Sequence, residues 1–383
     1  MLTEKLYDKD AYLMEFTGSV CSCNKTKQGY EVILDQTCFF PESGGQTGDK
    51  GYLNEIKVED VKEVEGQIIH YIQSPIGMSE KVKGQVDFKE RFSNMQQHSG
   101  EHILSGLIYR SYGFENVGFH LSPQTVTMDV GGELTPEQLE EIVRAANRII
   151  FENVKISGRY PSQEELGELK YRSKKEIDGP IRIVTIEGYD DCACCAPHVS
   201  RTGEIGTIKI LRAESYKGGM RLYIAAGQRA LIDTLEKQKL LDRIGKKYST
   251  NPEQLEDTVD QMKEEIENLH KQVNDLKEQI IVGKVQQIAN WDGTVLQFET
   301  NMDPLTQRNY VNLLLEKSRG ICGVFVGEEE QYRYIIAAEK FDVRQINAKL
   351  KELCNAKGGG SEKMVQGTLQ ALPEQIKKIF REF

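Results

Sequence analysis

The chain lacks any long apolar run. Of its 383 residues, 39% are hydrophobic and 28% are charged, yet no segment approaches the roughly 20 consecutive apolar residues that span a bilayer. The opening segment carries acidic side chains where a secretory signal would be basic and then apolar. We therefore expect no membrane segment and a cytoplasmic location.

A cysteine pattern suited to a disulfide framework is also missing. The chain has eight cysteines, but Cys192, Cys194 and Cys195 crowd together within one short segment, where they make poor disulfide partners. Such crowding is typical of metal binding or of a reducing compartment. We expect no structural disulfide.

An excess of positive charge is absent, because the formal net charge is −10. Any contact with nucleic acid must then come from a local basic patch. One basic segment alternates with glutamates and is predicted to be a solvated surface of mixed charge: Lys170, Arg172, Lys174, Lys175 and Arg182. A second combines bare backbone amides with lysines, which suits phosphate. The predicted nucleic-acid-binding residues are Lys357, Gly358, Gly359, Gly360 and Lys363, and Ser361 directly follows the three glycines.

The hydrophobic pattern predicts an α+β fold. Short alternating runs and glycine turns predict a β-rich subdomain over residues 1–88. Steps of three and four residues then predict a helix over Phe88–Tyr112. Thr135 and Gln138 form the capping-box pattern of a second helix, Pro136–Glu152. Strand-like segments return at 181–187, 206–211 and 221–225, which completes a second predicted domain over residues 89–229.

Residues 230–283 predict a helical hairpin or coiled coil. Asn251 as N-cap, Pro252 at the first helical position and Gln254 as box partner predict where its long helix begins. Apolar residues then alternate at steps of four and three, as in a heptad seam. One row of the seam is Val259, Ile266, Val273 and Ile280, and the other is Leu255, Met262, Leu269 and Leu276. An intrachain hairpin and an intermolecular coiled coil both fit, and we predict a homodimer through the C-terminal half.

The last predicted domain covers residues 284–383. Strand-like segments at 294–298, 323–326 and 332–337 and helical segments at 305–317 and 343–354 alternate as in a small α/β domain. The glycine-rich turn at 358–361 and a final pair of helices are predicted to close it.

Two motifs predict one zinc site. His98 and His102 lie four apart in a helical stretch, which puts both imidazoles on one face. Cys194 and His198 have the same interval in a second segment. Cys192 and Cys195 are alternative thiolates, but only Cys194 keeps the four-residue interval to His198.

The same helix allows a second interpretation. The sequence from His98 to His102 also fits the H-x-x-E-H pattern of zinc peptidases, with Glu101 as general base and Glu168 or Glu176 as a third ligand. That interpretation leaves the cysteine cluster unexplained. A third alternative is a non-catalytic scaffold that binds tRNA and keeps zinc only for folding.

A third motif brings a family resemblance. Residues 34–49, which contain D-Q-T-C-F-F-P-E-S-G-G-Q, resemble the signature of the alanyl-tRNA synthetase editing domain and its free-standing AlaX relatives. The His98–His102 motif resembles that family's H-x-x-x-H, and Cys194–His198 with the following T-G-E-I-G resembles its cysteine-histidine element. The three motifs stand in the family's order. The C-terminal part is similar to the DHH-associated domain of the longer AlaX proteins.

The resemblance implies an activity and a site. It implies an ATP-independent hydrolase that maintains translation fidelity by removing serine, or also glycine, from tRNA(Ala), with Zn²⁺ as cofactor. Thr37 would recognise the serine hydroxyl, while Gly44, Gly45 and Gln46 would contact substrate. The sequence departs from the family pattern at Ser99, Gly100 and Glu101 inside the first motif, and at Cys195, where the family has glycine. Glu101 is the one candidate catalytic residue.

Overall fold

The computed structural model describes residues 2–173, 179–288 and 293–383. The chain divides into two compact units, Met1–Arg243 and Ile244–Phe383. Both combine helices with sheets, which confirms the α+β class; the division into four domains stays a prediction. Among the described residues, no helix is long and apolar enough to cross a membrane.

The first unit opens with a closed barrel. The elements of this region are β1 (Glu4–Lys5), α1 (Leu6–Lys9), β2 (Glu15–Thr26), β3 (Gly29–Leu34), β4 (Gln36–Thr37), β5 (Gly51–Leu53), β6 (Ile56–Val64), β7 (Gln67–Ile72) and β8 (Lys81–Val86). Six of them close in the order β2-β3-β7-β6-β5-β8. Because successive side chains of a strand point to opposite faces, β7 buries Ile68, His70 and Ile72 inside the barrel.

A helix-covered sheet follows the barrel. Its elements are α2 (Phe88–Tyr112), β9 (Asn116–Leu121), β10 (Val126–Val130), α3 (Pro136–Glu152), β14 (Ile208–Tyr216) and β15 (Gly219–Ala226), and α5 (Gly227–Tyr248) comes next. The strands run in the antiparallel order β14-β15-β10-β9. Helix α2 begins behind the Asp87 carboxylate, which accepts from the Glu90 amide, and ends at Gly113, whose φ is 72°. Its apolar side chains Met95, Ile103 and Leu104 are buried in the core shared with this sheet.

The predicted boundaries of both helices are confirmed. Thr135 and Gln138 form the capping box of α3 as predicted. A smaller sheet inserted before β14 consists of β11 (Ile156–Arg159), β12 (Ile183–Ile186) and β13 (Asp190–Ala193), with α4 (Gln163–Glu168) between its first two strands. It leads the chain from β13 into the cysteine segment.

The second unit contains one mixed sheet. Its elements are α6 (Leu255–Gln286), β16 (Val295–Glu299), α7 (Pro304–Lys317), β17 (Ile321–Glu328), β18 (Gln331–Ala338), α8 (Arg344–Leu353), β19 (Lys357–Gly360), β20 (Met364–Gln370) and α9 (Pro373–Phe380). The strand order is β16-β17-β18-β20-β19. The predicted final pair of helices is wrong, because β20 replaces the first of them. The predicted glycine turn is instead the edge strand β19, paired with β20.

Helix α6 differs from its prediction at its start. Asn251 precedes a 3₁₀ turn at Pro252–Gln254 without a side-chain cap, and the α-helix begins only at Leu255. The seam side chains Val259, Ile266 and Val273 are about half exposed. The coiled coil therefore stays a prediction.

Candidate metal centre and adjoining cavity

Four side chains from two distant segments meet at one point in the first unit. His98 and His102 lie on α2, and Cys194 and His198 lie in the loop that follows β13. Potential ligand atoms of all four lie within 4.8 Å of one another. The three histidines are buried, and Cys194 is partly exposed. The structure thus brings together the four residues predicted from the two motifs.

The spacing of the ligand atoms suits a tetrahedral ion. Cys194 Sγ lies 3.5 Å from His98 Nε2 and 3.4 Å from His198 Nε2. A zinc ion with ordinary Zn–S and Zn–N bond lengths separates sulfur from nitrogen by roughly 3.5 Å in a tetrahedral shell. The donor set and its spacing therefore fit Zn²⁺.

A second observation supports this fit: two of the three imidazoles have an oxygen within hydrogen-bond distance of Nδ1. His98 Nδ1 lies 2.9 Å from Gln46 Oε1, and His198 Nδ1 lies 3.0 Å from Ser99 Oγ. Asp190 Oδ2 is the nearby carboxylate oxygen at His102 Nδ1, at 3.8 Å, which is longer than a hydrogen bond. Metal-binding histidines usually have such oxygen partners at the ring nitrogen that does not bind the metal.

Asp190, the first residue of β13, lies beside His102. Arg172 donates to both of its carboxylate oxygens, at 2.8 and 2.7 Å, and also to Ser105 Oγ at 2.8 Å. Burial raises the pKa of the Asp190 carboxyl, although Arg172 opposes this shift. His102, Asp190 and Cys192 form a second group of potential ligands. Because Arg172 already occupies both carboxylate oxygens, we assign Asp190 to the support of His102.

Glu101 is fully buried beside the cluster. Asn116 Nδ2 donates to its Oε1, and its Oε2 lies 4.0 Å from His102 Nε2. Glu101 is not among the residues that line the neighbouring cavity. Glu168, one of the two candidate third ligands of the peptidase interpretation, is exposed on α4 and outside both ligand groups. The other candidate, Glu176, lies outside the described residues. The geometry therefore favours the Cys194 and His198 set.

A cavity of about 680 Å³ borders the metal centre. Its size lies within the usual range for small-ligand pockets. Its lining includes His98, His102, Ser43, Gly44, Gly45, Phe119, Tyr160, Arg182, Cys194 and Cys195. The predicted substrate-binding glycines thus lie in the cavity wall.

Glycine is needed at positions 44 and 45 for different physical reasons. Gly44, with φ of 61°, has open space where a Cβ would stand. Gly45, with φ of 83°, packs so closely on β9 that a Cβ would lie 2.1 Å from the Phe119 carbonyl oxygen. Both need the left-handed region that favours glycine. Gly44 keeps the cavity wall bare, whereas Gly45 docks the loop on the sheet.

The other two predicted substrate residues do not line this cavity. Gln46 is fully buried behind His98. Thr37 is fully buried in the barrel region, where its hydroxyl donates to His70 Nε2 at 2.9 Å and accepts from the Phe39 amide. The opposite ring nitrogen, His70 Nδ1, donates to the Val32 carbonyl. Burial lowers the pKa of His70 to about 4.

The predicted basic patches differ in exposure. Arg172 and Arg182 turn inward, since Arg182 Nη1 donates to the Cys194 and Ala196 carbonyls. Lys174 and Lys175 lie outside the described residues. In the second unit, Lys357 and Lys363 are exposed, and Gly359 has open space around it. A Cβ on Gly358 would lie 2.2 Å from the Gln366 carbonyl oxygen, so this glycine also serves strand packing.

Sequence reasoning missed Ser99, Asp190 and Arg172 as supports of the histidines. Ser99 lies inside the first motif, and Asp190 lies shortly before the second. Their proximity in sequence was the available signal. Their contacts with His198 and His102 depend on the packing of α2 against the cysteine segment.

Two segments of the chain match family models of tRNA synthetase domains. Residues 7–90 match the family model described as tRNA synthetases class II (A). Residues 181–223, which include Cys194 and His198, match the threonyl and alanyl tRNA synthetase second additional domain.

Three relatives are similar to different lengths of the chain. The alanyl-tRNA editing protein AlaX-L of Pyrococcus horikoshii is 29% identical over 98% of this chain and 96% of its own length. The alanine–tRNA ligase of Pyrococcus abyssi is 29% identical over 96% of this chain but only 42% of the ligase. The alanyl-tRNA editing protein Aarsd1 of Mus musculus is 33% identical over 59% of each chain. The similarity therefore extends over both units in two of these relatives.

Proposed function

The chain belongs to the alanyl-tRNA editing family, and from that premise we propose that it acts in trans to remove serine from mischarged tRNA(Ala), with glycine as a second substrate. It is an aminoacyl-tRNA deacylase, a hydrolase of carboxylic esters. The observation that carries the specific proposal is the cluster of His98, His102, Cys194 and His198 beside a cavity of about 680 Å³. A site of this size suits a terminal ribose that carries a small amino acid.

The four clustered side chains would hold Zn²⁺. When bound, zinc supplies either a Lewis acid for the ester carbonyl or an anchor for the substrate amine. Four protein ligands make the closed set that is typical of structural sites. Either role would therefore need a fifth coordination position or the release of one protein ligand.

The protein's own residues would shape the approach of the ester. Gly44 leaves its part of the cavity wall without a side chain, so substrate can approach the backbone closely. Phe119 packs against the His98 ring with centroids 4.7 Å apart and gives the wall an apolar portion. Ser43 Oγ and Cys195 Sγ, 3.3 Å apart on the cavity wall, are polar groups within this site that a serine hydroxyl can meet.

We extend the proposal to partners and location. Two exposed lysines, Lys357 on β19 and Lys363 after it, are proposed to contact tRNA(Ala) phosphates, because phosphate contacts supply much of nucleic-acid affinity. The exposed seam of α6 is proposed to pair with a second copy of the chain. A cytoplasmic location is proposed because aminoacyl-tRNA is the substrate.

One assay separates the three candidate functions. Seryl-, glycyl- and alanyl-tRNA(Ala) are incubated without ATP, with the Zn²⁺-loaded protein and with protein treated with a chelator. We expect loaded protein to hydrolyse seryl-tRNA(Ala), to spare alanyl-tRNA(Ala), and to lose activity on chelation. Casein cleavage would instead support the zinc peptidase, and tRNA binding without hydrolysis would support the scaffold.

A further inference from the structure

Gln46 lies at the end of a tight turn behind the metal centre. The Ser43 and Gln46 backbones exchange hydrogen bonds of 3.1 and 3.0 Å, and Gly44 and Gly45 between them both have positive φ. Two central residues with positive φ are the mark of a type I′ turn, which two glycines adopt readily. The double glycine thus builds the turn that presents Gln46.

The turn is fixed to β9 on both sides of Gln46. Leu121 donates its amide to the Gly45 carbonyl at 2.7 Å, and Thr47 donates its amide to the Leu121 carbonyl at 3.3 Å. The absence of a Cβ at Gly45 permits this approach. The backbone of Gln46 is therefore held in place by the sheet that also lines the cavity.

A second contact fixes the same loop to helix α2. The Asp49 carboxylate accepts from Arg91 Nε at 3.0 Å to each oxygen, and both side chains are buried. Arg91 stands seven residues before His98, so the two lie within about 20° of each other around the helix. The loop consequently contacts one face of α2 at two points, through Asp49 at Arg91 and through Gln46 at His98.

The direction of the hydrogen bond between Gln46 and His98 is defined. Gln46 Oε1 accepts a hydrogen bond, so the Nδ1 that faces it at 2.9 Å must carry the proton. His98 Nε2 then presents its lone pair toward Cys194 Sγ, 3.5 Å away. Gln46 Nε2 is buried and has no hydrogen-bond partner among the described residues. The bond made by the carbonyl end therefore accounts for the orientation of this side chain.

From these contacts we infer that Gln46 is a positioning residue, which holds the His98 imidazole in the tautomer that binds the metal, and is not a substrate contact. The inference rests on the zinc centre of the proposed function. Loss of such an oxygen partner typically weakens metal binding by about 10–100-fold. Gly44 and Gly45 then serve Gln46 as well as the cavity, because they form the turn that carries it.

Zinc affinity tests the inference without reference to deacylation. Wild type, Gln46→Met and Gln46→Glu are titrated with Zn²⁺ against a chromophoric chelator, and circular dichroism checks folding. Methionine keeps the length of the side chain but offers no oxygen, so we expect Gln46→Met to bind zinc about 10–100-fold more weakly. Glutamate keeps the acceptor, so Gln46→Glu should retain the wild-type affinity.

Gln97→Met is the matched control. Gln97 is also fully buried and adjoins His98 on α2, but it bonds to the Ala226 backbone at 2.7 Å through both ends of its amide. This variant should lose stability while its zinc affinity stays unchanged. If Gln97→Met and Gln46→Met weaken zinc binding equally, general packing explains the effect and the positioning role is overturned.

Two further outcomes distinguish this inference from the proposed function. If Gln46→Met binds zinc as tightly as wild type but loses deacylation, Gln46 contacts substrate and the inference is wrong, while the proposed function stands. If wild-type protein binds no zinc, both the inference and the zinc part of the proposed function fail. Cobalt(II) spectra of wild type and Gln46→Met should differ if the ligand geometry at His98 has changed.

Discussion

The two units of the chain bury polar groups very differently. In the described part of the second unit, the buried polar side chains Gln307, Ser318 and Asn347 are all uncharged. The first unit buries ionisable side chains, and most of them lie near the metal centre or in its supports: Asp49, His70, Arg91, His98, Glu101, His102, Arg182 and His198. Because buried charges are costly unless they are paired, this concentration marks the part of the molecule in which polarity serves chemistry.

The buried groups of the first unit form connected layers around the metal centre. Gln46, Ser99 and Asp190 each face one imidazole. Behind Asp190 stands Arg172. In the second unit, Tyr334 donates to Asn347, and Gln307 bonds to Arg333 and to the Val324 carbonyl, all far in sequence from any histidine or cysteine ligand group of the described residues. Substitutions among the residues that face the three imidazoles should therefore affect zinc binding, whereas those in the second unit should affect stability or assembly alone.

The largest change in stability is expected from the Asp49 and Arg91 pair. Asp49→Ala leaves Arg91 buried without its counter-charge, which should lower the free energy of unfolding by about 3–5 kcal/mol. Glu140→Ala is the control, because its partner Arg144 lies on the exposed surface of α3, where ion pairs contribute little. Urea denaturation of both variants measures the difference. If Asp49→Ala lowers the free energy of unfolding only slightly, the Asp49 and Arg91 pair does not fix the loop to α2.

The next effect concerns pH. Since burial lowers the pKa of His70 to about 4, the unfolded chain, with a pKa near 6.5, takes up the proton first as the pH falls. Neutral His70 therefore contributes about 3 kcal/mol to the free energy of unfolding above about pH 6.5, and this contribution is lost as the pH falls from 6.5 to 4. His70→Gln cannot titrate, so its unfolding free energy should fall less steeply across this window. If the unfolding free energies of wild type and variant depend on pH in the same way, the pKa of His70 is not lowered by folding.

Thr37 gives a smaller and more specific test. Thr37→Val removes a hydroxyl that bonds to His70 and to the Phe39 amide, and should lower stability by about 1–3 kcal/mol. Because Thr37 does not line the cavity, we expect hydrolysis of seryl- and glycyl-tRNA(Ala) to fall equally or not at all. A selective loss of seryl-tRNA(Ala) hydrolysis would instead favour direct recognition of the serine hydroxyl by Thr37.

In the second unit, substitutions in the seam of α6 should change dimerisation and should leave zinc binding unchanged. We expect wild type to be a dimer in light scattering, and Ile266→Lys to be a monomer with unchanged zinc content, because the lysine charge enters an apolar seam row. Glu264→Lys introduces the same side chain on the same helix outside the seam and should remain dimeric. A monomeric wild type would leave only the intrachain hairpin.

Local patterns in the sequence predicted much of the fold. The capping box at Thr135 and Gln138 and the boundaries of α2 and α3 depend on neighbours along the chain, and they were predicted as the structure has them. Closure of the barrel depends on which strands pair, which alternation alone does not specify. The final strand β20 was mistaken for a helix because short apolar segments fit either period.

In the candidate site, too, local intervals were predicted correctly and long-range contacts were not. The four-residue intervals of His98 with His102 and of Cys194 with His198 predicted the ligand set, because each interval is local. The place of Thr37 in the barrel region and of Gln46 behind His98 depends on contacts over 33 and 52 residues of sequence. Such contacts require the folded chain. The motif resemblance thus identified the loop that borders the cavity, and substrate contact by Thr37, Gly44, Gly45 and Gln46 stays a prediction.

The most direct test is the zinc content and seryl-tRNA(Ala) deacylation of three proteins measured together: wild type, Cys194→Ala and Cys195→Ala. The wild type should carry about one zinc ion per chain, since four ligands complete one tetrahedral shell. Cys194→Ala should lose both zinc and activity, whereas Cys195→Ala should keep its zinc, because Cys195 bonds to Ser43 on the cavity wall and is not one of the four clustered ligands. A wild type without zinc, or loss of zinc in Cys195→Ala with retention in Cys194→Ala, would contradict the account.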